Sequence, residues 1–139
     1  MDAEETAAAV WARMRALVLD RNERKKDVVE ALGMSFLKAK ALRRVAGKVM
    51  TMRELTAELT IDKPYTTLIV DDLERRGLVE RSVHPEDRRC KIVTATPAGH
   101  EAAQLAEKIL SEPPAGISAL DADDLGALDR ILTKVDSAG

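Results

Sequence analysis

The chain changes its hydrophobic period once, in its middle, and that change leaves few folds open. From Thr51 to Gly77 apolar residues recur at three- and four-residue spacing; from Leu78 to Ala95 they alternate. Thr51-Met52-Arg53-Glu54 reads as a capping box, in which the threonine hydroxyl accepts from a first-turn amide and Glu54 reaches back. The helix it starts runs to about Leu59. Thr60-Ile61-Asp62-Lys63 is a turn, and Pro64 opens a second helix where its missing amide proton does least harm. Leu68, Ile69, Val70 and Leu73 are expected to form its apolar face, with Asp71–Arg75 and Asp72–Arg76 as favourable i,i+4 pairs and Gly77 as the stop. Leu78–Val83 and Cys90–Ala95 then read as two strands around a polar tip, His84–Arg89. Two helices on a tight turn followed by a basic-tipped hairpin make a winged helix-turn-helix.

Flanking segments are helical. Val10, Met14, Leu17 and Val18 stripe a first helix from about Ala3 to Ala31, which Asp20-Arg21-Asn22 is expected to loosen before Gly33 ends it. Ser35 caps another helix through about Ala46. Thr96-Pro97 starts a helix running to about Ser111, Pro113-Pro114 breaks it, and Asp121 and Asp124 open a last one striped by Leu125, Leu128, Ile131, Leu132 and Val135. The expected fold is mainly α: a winged helix-turn-helix with a two-stranded β-hairpin wing and dimerisation helices at both termini. Residues 1–33 are read as the N-terminal dimerisation helix, 34–99 as the DNA-binding lobe and 100–139 as the C-terminal dimerisation helices. The terminal stripes lie outside a compact winged helix and would be exposed in a monomer, so a homodimer is expected.

Net charge is −2, which alone argues against nucleic acid. Its distribution reverses that reading, because residues 31–91 hold 13 Lys and Arg against 9 Asp and Glu while the rest of the chain is acidic. A helix fits the major groove of duplex DNA, and a wing can lie along the backbone with its tip in the minor groove. The second helix would present Lys63, Pro64, Tyr65, Thr66 and Thr67 from its N-terminal end; Thr51 and Arg53 would add contacts from the first, and Arg88 and Arg89 from the wing tip. Asp87 is expected to orient the wing arginines, since a carboxylate beside phosphate is repelled. Trp11, Met14, Met34 and Met50 could line a small-molecule pocket, although ordinary core filling suits methionine as well.

Other function classes find little support. No nucleophile–base set, Gly-rich phosphate loop or Cys/His metal cluster is present, so neither enzyme activity, a metal nor another cofactor is expected. His84 and His100 have no ligand-type neighbours at useful spacing. Single Cys90 excludes an internal disulfide framework and suits a reducing cytoplasm. No secretion signal and no membrane span are visible. A winged-helix protein–protein interaction module, or a small-molecule-binding protein without DNA binding, is the alternative.

Asp62 to Arg76, Gly77-Leu78-Val79-Glu80-Arg81, Pro85-Glu86-Asp87-Arg88-Arg89 and Thr94-Ala95-Thr96-Pro97-Ala98-Gly99 together resemble the MarR family of bacterial regulators. The Asp-Arg-Arg tip followed at this spacing by Thr-Pro-x-Gly is the most specific part. The resemblance implies homodimers on palindromic operators, usually repression, and often release by a small lipophilic or phenolic ligand. Thr60 stands where that family often has glycine, Leu68 and Asp72 where it is often basic, and Tyr65 where a small hydroxyl residue is common.

Overall fold

The computed structural model describes residues 1–21 and 23–139. In chain order the elements are α1 (Ala3–Arg15), a π-helical stretch (Ala16–Asp20), α2 (Arg24–Leu32), α3 (Phe36–Gly47), β1 (Met50–Thr51), α4 (Met52–Leu59), α5 (Lys63–Arg75), β2 (Val79–Val83), β3 (Lys91–Ala95), α6 (Pro97–Ser111), α7 (Ala115–Ser118) and α8 (Ala122–Ala138). The fold is a winged helix-turn-helix with helical extensions. The sheet gains a short third strand, in the antiparallel order β1-β3-β2. Met50 pairs with Val93, and Val79 to Val83 run against Ala95 to Lys91. A two-residue strand has too little alternation to be seen in sequence.

Caps explain most boundaries. Ser35, Thr51, Asp62, Thr96 and Asp121 each accept a hydrogen bond from a first-turn amide of the helix they precede, and Thr51 with Glu54 completes the capping box. α4 and α5 end alike, with paired backbone bonds closing the last turn around a left-handed residue. At α5 that residue is Gly77 (φ 75°), with Leu78 N donating to Leu73 O and Gly77 N to Glu74 O. At α4 it is Thr60 (φ 55°), with Ile61 N donating to Thr56 O and Thr60 N to Ala57 O. A β-branched residue in this region is strained by about 1–2 kcal/mol.

One core joins α2 through α6. Leu42, Leu55, Ile69, Leu73, Val28, Val70, Val79 and Val93 are fully buried, with Ala103 and Ala106 of α6 closing the layer against α2 and α3. The first helix is not continuous as the stripe suggests. After Arg15 the backbone widens into the π turn, closed by Arg21 N donating to Ala16 O at 2.9 Å. The loosening expected at Asp20-Arg21-Asn22 falls partly on Asn22, which lies outside the described residues. Neither α1 nor α8 contains a buried residue, and Trp11, Val10, Ile131 and Val135 are exposed.

The wing is locked to α6 by the Thr-Pro-x-Gly segment. Thr96 Oγ1 donates to Gly77 O at 2.6 Å and accepts from Gly99 N at 3.0 Å, while Thr96 N donates to Leu78 O at 3.0 Å. Gly99 is buried so close to the Leu78 carbonyl that a Cβ would collide with backbone. Gly99→Ala is therefore expected to destabilise the fold by about 3 kcal/mol, the upper end for overpacking, as a fall in urea midpoint at unchanged m-value.

Candidate nucleic-acid interface

α4, α5 and the inner face of the wing enclose an open groove of about 640 Å³. Its walls carry Thr51, Arg53, Lys63, Thr67 and Arg89 of the expected contact set, together with Met52, Thr56, Glu74, Arg81, Cys90 and Lys91. Arg53, Lys63 and Lys91 make no ion pair among the described residues. Three cations outside any ion pair on one concave surface, with Glu74 near Lys91 already held by Arg81, are an anion-attracting arrangement.

The remaining expected residues divide. Pro64 and Tyr65 are exposed at the start of α5, and Arg88 is exposed on the tip, all outside the groove. Thr66 is a correction: it is fully buried. Its Oγ1 donates to Asp62 O at 3.0 Å and lies 2.8 Å from Thr56 Oγ1, so it fastens α5 to α4 and cannot meet a base. Leu68 is a second correction, pointing outward at 66% exposure while the inward face is Thr66, Ile69, Val70 and Leu73.

Asp87 orients the tip. Its Oδ1 accepts from Arg89 N and Arg89 Nε, both at 3.1 Å, and its backbone oxygen accepts from Cys90 N. The Arg89 guanidinium holds the Asp87 carboxyl below the usual range. Arg89 stays 90% exposed on its side chain, free to exchange a carboxylate for a phosphate. His84 Nδ1 accepts from Glu86 N at 3.0 Å, a bond that shapes the same turn.

Arg81, unassigned by sequence reasoning, joins wing to helix. Its Nη2 lies 2.6 Å from Asp71 Oδ1 and 3.0 Å from Glu74 Oε1, and its backbone amide donates to Glu74 Oε2. Asp71 thus pairs across elements and not with Arg75. Hydrogen bonds from Arg81 depress Glu74 and raise Arg81 itself. No short-range rule links positions 71, 74 and 81; only the alternation that turns Arg81 to one strand face hinted at it.

Residues 46–91 match the model of the MarR family. That stretch, a third of the chain, is similar to MarR-family winged helices. Solved structures of the same shape include the reduced form of MarR from E. coli (24% identity, 89% of this chain and 94% of that one, TM-score 0.72) and YusO from Bacillus subtilis (18%, 100% of both, 0.74). A mutant of S. aureus MepR bound to an oligodeoxyribonucleotide is also similar (20%, 94% and 96%, 0.67). No curated protein sequence matches the chain.

Within this lobe the basic run from Lys38 to Arg53 is only partly available to a ligand. Arg43 binds Glu107 of α6, Arg44 binds Glu58 of α4, and Lys38 binds Asp72 of α5. Neither cleft described is lined by Trp11, Met14, Met34 or Met50. Met34 and Met50 belong to the core, while Trp11 lies exposed on α1. A cleft of about 530 Å³ sits instead between the π stretch and the α6–α7 junction, with Leu17, Val18, Leu110 and Ile117 in its walls. No group of His, Cys, Asp and Glu among the described residues could hold a metal, and no described helix is long and apolar enough to cross a membrane.

Asp72 explains its own departure from a basic residue. Its carboxylate takes Arg75, Arg76 at 2.8 Å and Lys38 at 3.2 Å, and Arg76 Nη1 also donates to Gly33 O, tying α5 to α3 and to the end of α2. These bonds, Arg75's first, hold its pKa at about 2, down from the ordinary 3.8. A depressed carboxylate stabilises the fold above its unfolded pKa, and the contribution fades as pH falls from near 3.8 toward 2. Asp72→Asn should be less stable than wild type at pH 5–7, with the gap closing between pH 4 and pH 2. Denaturation midpoints measured across that range check this; a gap independent of pH would refute it.

Proposed function

We propose that this protein is a sequence-specific, double-stranded-DNA-binding transcriptional regulator that acts as a homodimer, represses from a two-fold symmetric operator, and performs no catalysis. The carrying observation is the groove between α5 and the wing, where Arg53, Lys63 and Lys91 make no ion pair among the described residues and Arg89 projects from the rim. A MarR-family match and similarity to a MepR structure with bound oligonucleotide support the same reading. α5 would enter the major groove by its N-terminal half, with Lys63, Pro64, Tyr65 and Thr67 toward the bases and Thr51 and Arg53 toward the backbone. Arg88 and Arg89 would reach the minor groove.

The division into terminal dimerisation segments, residues 1–33 and 100–139, around a reading lobe at 34–99 is part of the proposal. It is supported by the apolar stripes of α1 and α8, exposed on helices that pack broadly on no part of the core. Such stripes suit burial against a second copy.

Affinity for a selected operator and for a scrambled duplex, each at several salt concentrations, tests the reading. Binding should weaken steeply with salt. Arg89→Ala should weaken both duplexes alike and make the salt dependence shallower. Tyr65→Ala should erode discrimination, by about 1–3 kcal/mol if a base contact is lost. An Arg89→Ala protein with both affinities unchanged would show that the wing does not touch DNA. Deleting residues 121–139 should yield monomers or aggregates in light scattering, and a well-behaved DNA-binding monomer would refute the dimerisation role of α8.

A further inference from the structure

α5 turns Thr66, Ile69, Val70 and Leu73 into the core. At about 100° per residue, Leu68 falls on the opposite side of the helix, on its outermost ridge. There it is 66% exposed, with Tyr65 one turn earlier at 46% and Pro64 exposed beside them. Arg75 follows on the same side two turns later, its side chain 72% exposed and paired to Asp72. Asp71 is held by Arg81, Asp72 by Lys38, Arg75 and Arg76, and Glu74 by Arg81, so the charged groups of the helix's second half are engaged within the protein. On one flank lie Lys63 and Thr67, in the groove wall with Arg53 and Lys91, which make no ion pair among the described residues.

This inventory restricts what the ridge can read. Bidentate readout of guanine needs Arg or Lys, and of adenine needs Asn or Gln. α5 contains no Asn or Gln, its one arginine is tied to Asp72 near the C-terminal end, and Lys63 is its only lysine. The apolar group displayed in the major groove is the C5-methyl of thymine. The cationic flank suits phosphate on either side of such a contact.

We propose that Leu68, with Tyr65 beside it, is a specificity-determining residue that reads thymine methyl groups in the major groove. The inference rests on the DNA-binding reading and deepens it, assigning a thymine-containing half-site to a helix ridge that carries almost no hydrogen-bonding reader. Water excluded from between leucine and methyl supplies the preference, and bases lacking the methyl forfeit it.

The test uses the full-length protein and duplexes that it selects from a randomised pool. Each thymidine of a selected duplex is replaced in turn by deoxyuridine, which removes the methyl and leaves base pairing intact. At least one replacement per half-site should weaken wild-type binding about fourfold, the value of one buried methyl-sized group. Leu68→Ala should bind more weakly and lose that sensitivity with its salt dependence unchanged, because no phosphate contact is removed. Its exposure predicts an unaltered fold, checked by circular dichroism and thermal unfolding. Sequence-selective binding indifferent to every deoxyuridine would overturn the proposal while leaving DNA binding in place, as would a Leu68→Ala protein with full sensitivity. Failure to select any duplex would overturn the DNA reading itself, and this inference with it.

Discussion

The angle between α4 and α5 hangs on the Thr66 hydroxyl, the one fully buried polar side chain among the described residues. A hydroxyl taken out of water costs free energy unless its hydrogen bonds are restored, and Thr66 finds Asp62 O on its own helix and Thr56 Oγ1 on the other. Those two partners fix how far α5 may roll about its axis. Roll decides which residues face outward, so the placement of Tyr65, Leu68 and Thr67 follows from a bond at the opposite side of the helix. Asp72 and Arg81 hold the same helix at its far end, one against α2 and α3 and the other against the wing.

Local chemistry made much of this fold readable from sequence. Ser35, Thr51 and Thr96 cap helices as their spacing suggests, because a cap involves only the next three residues. Gly33 and Gly77 stop helices because a left-handed backbone needs no partner elsewhere. The errors share another origin. Leu68 looks like a core residue and Thr66 like a surface one, yet the rotation of α5 is set by α4, ten residues earlier in the chain at Thr56. Asp71 pairs with Arg81 through a meeting of helix and strand that helical spacing cannot anticipate. The methionines are chemically similar, so nothing in their spacing separates Met34 in the core from a pocket lining.

Charge is spent in two ways across the lobe. Arg43, Arg44, Lys38 and Arg76 brace helices against one another, which removes them from any long-range field in favour of rigidity. Arg53, Lys63 and Lys91 make no ion pair among the described residues and line a single groove. The winged helix therefore directs a local positive field outward from a chain whose net charge is −2. Acidic residues near both termini keep that field from extending over the whole molecule.

The π turn at Ala16–Asp20 acts as a phase shifter. Its i→i+5 closure, Arg21 N to Ala16 O, places one more residue in a turn than an α-helix does. One residue is worth about 100° of azimuth. The residues of the π stretch, Leu17 and Val18 among them, are thereby wound out of step with the stripe of α1. A regular α-helix from Ala3 to Asp20 would carry Val10, Met14, Leu17 and Val18 around in a single phase. A one-residue wrinkle in the backbone thus turns the end of an apolar stripe toward the cleft at Leu110 and Ile117 without any change in the kind of residue used.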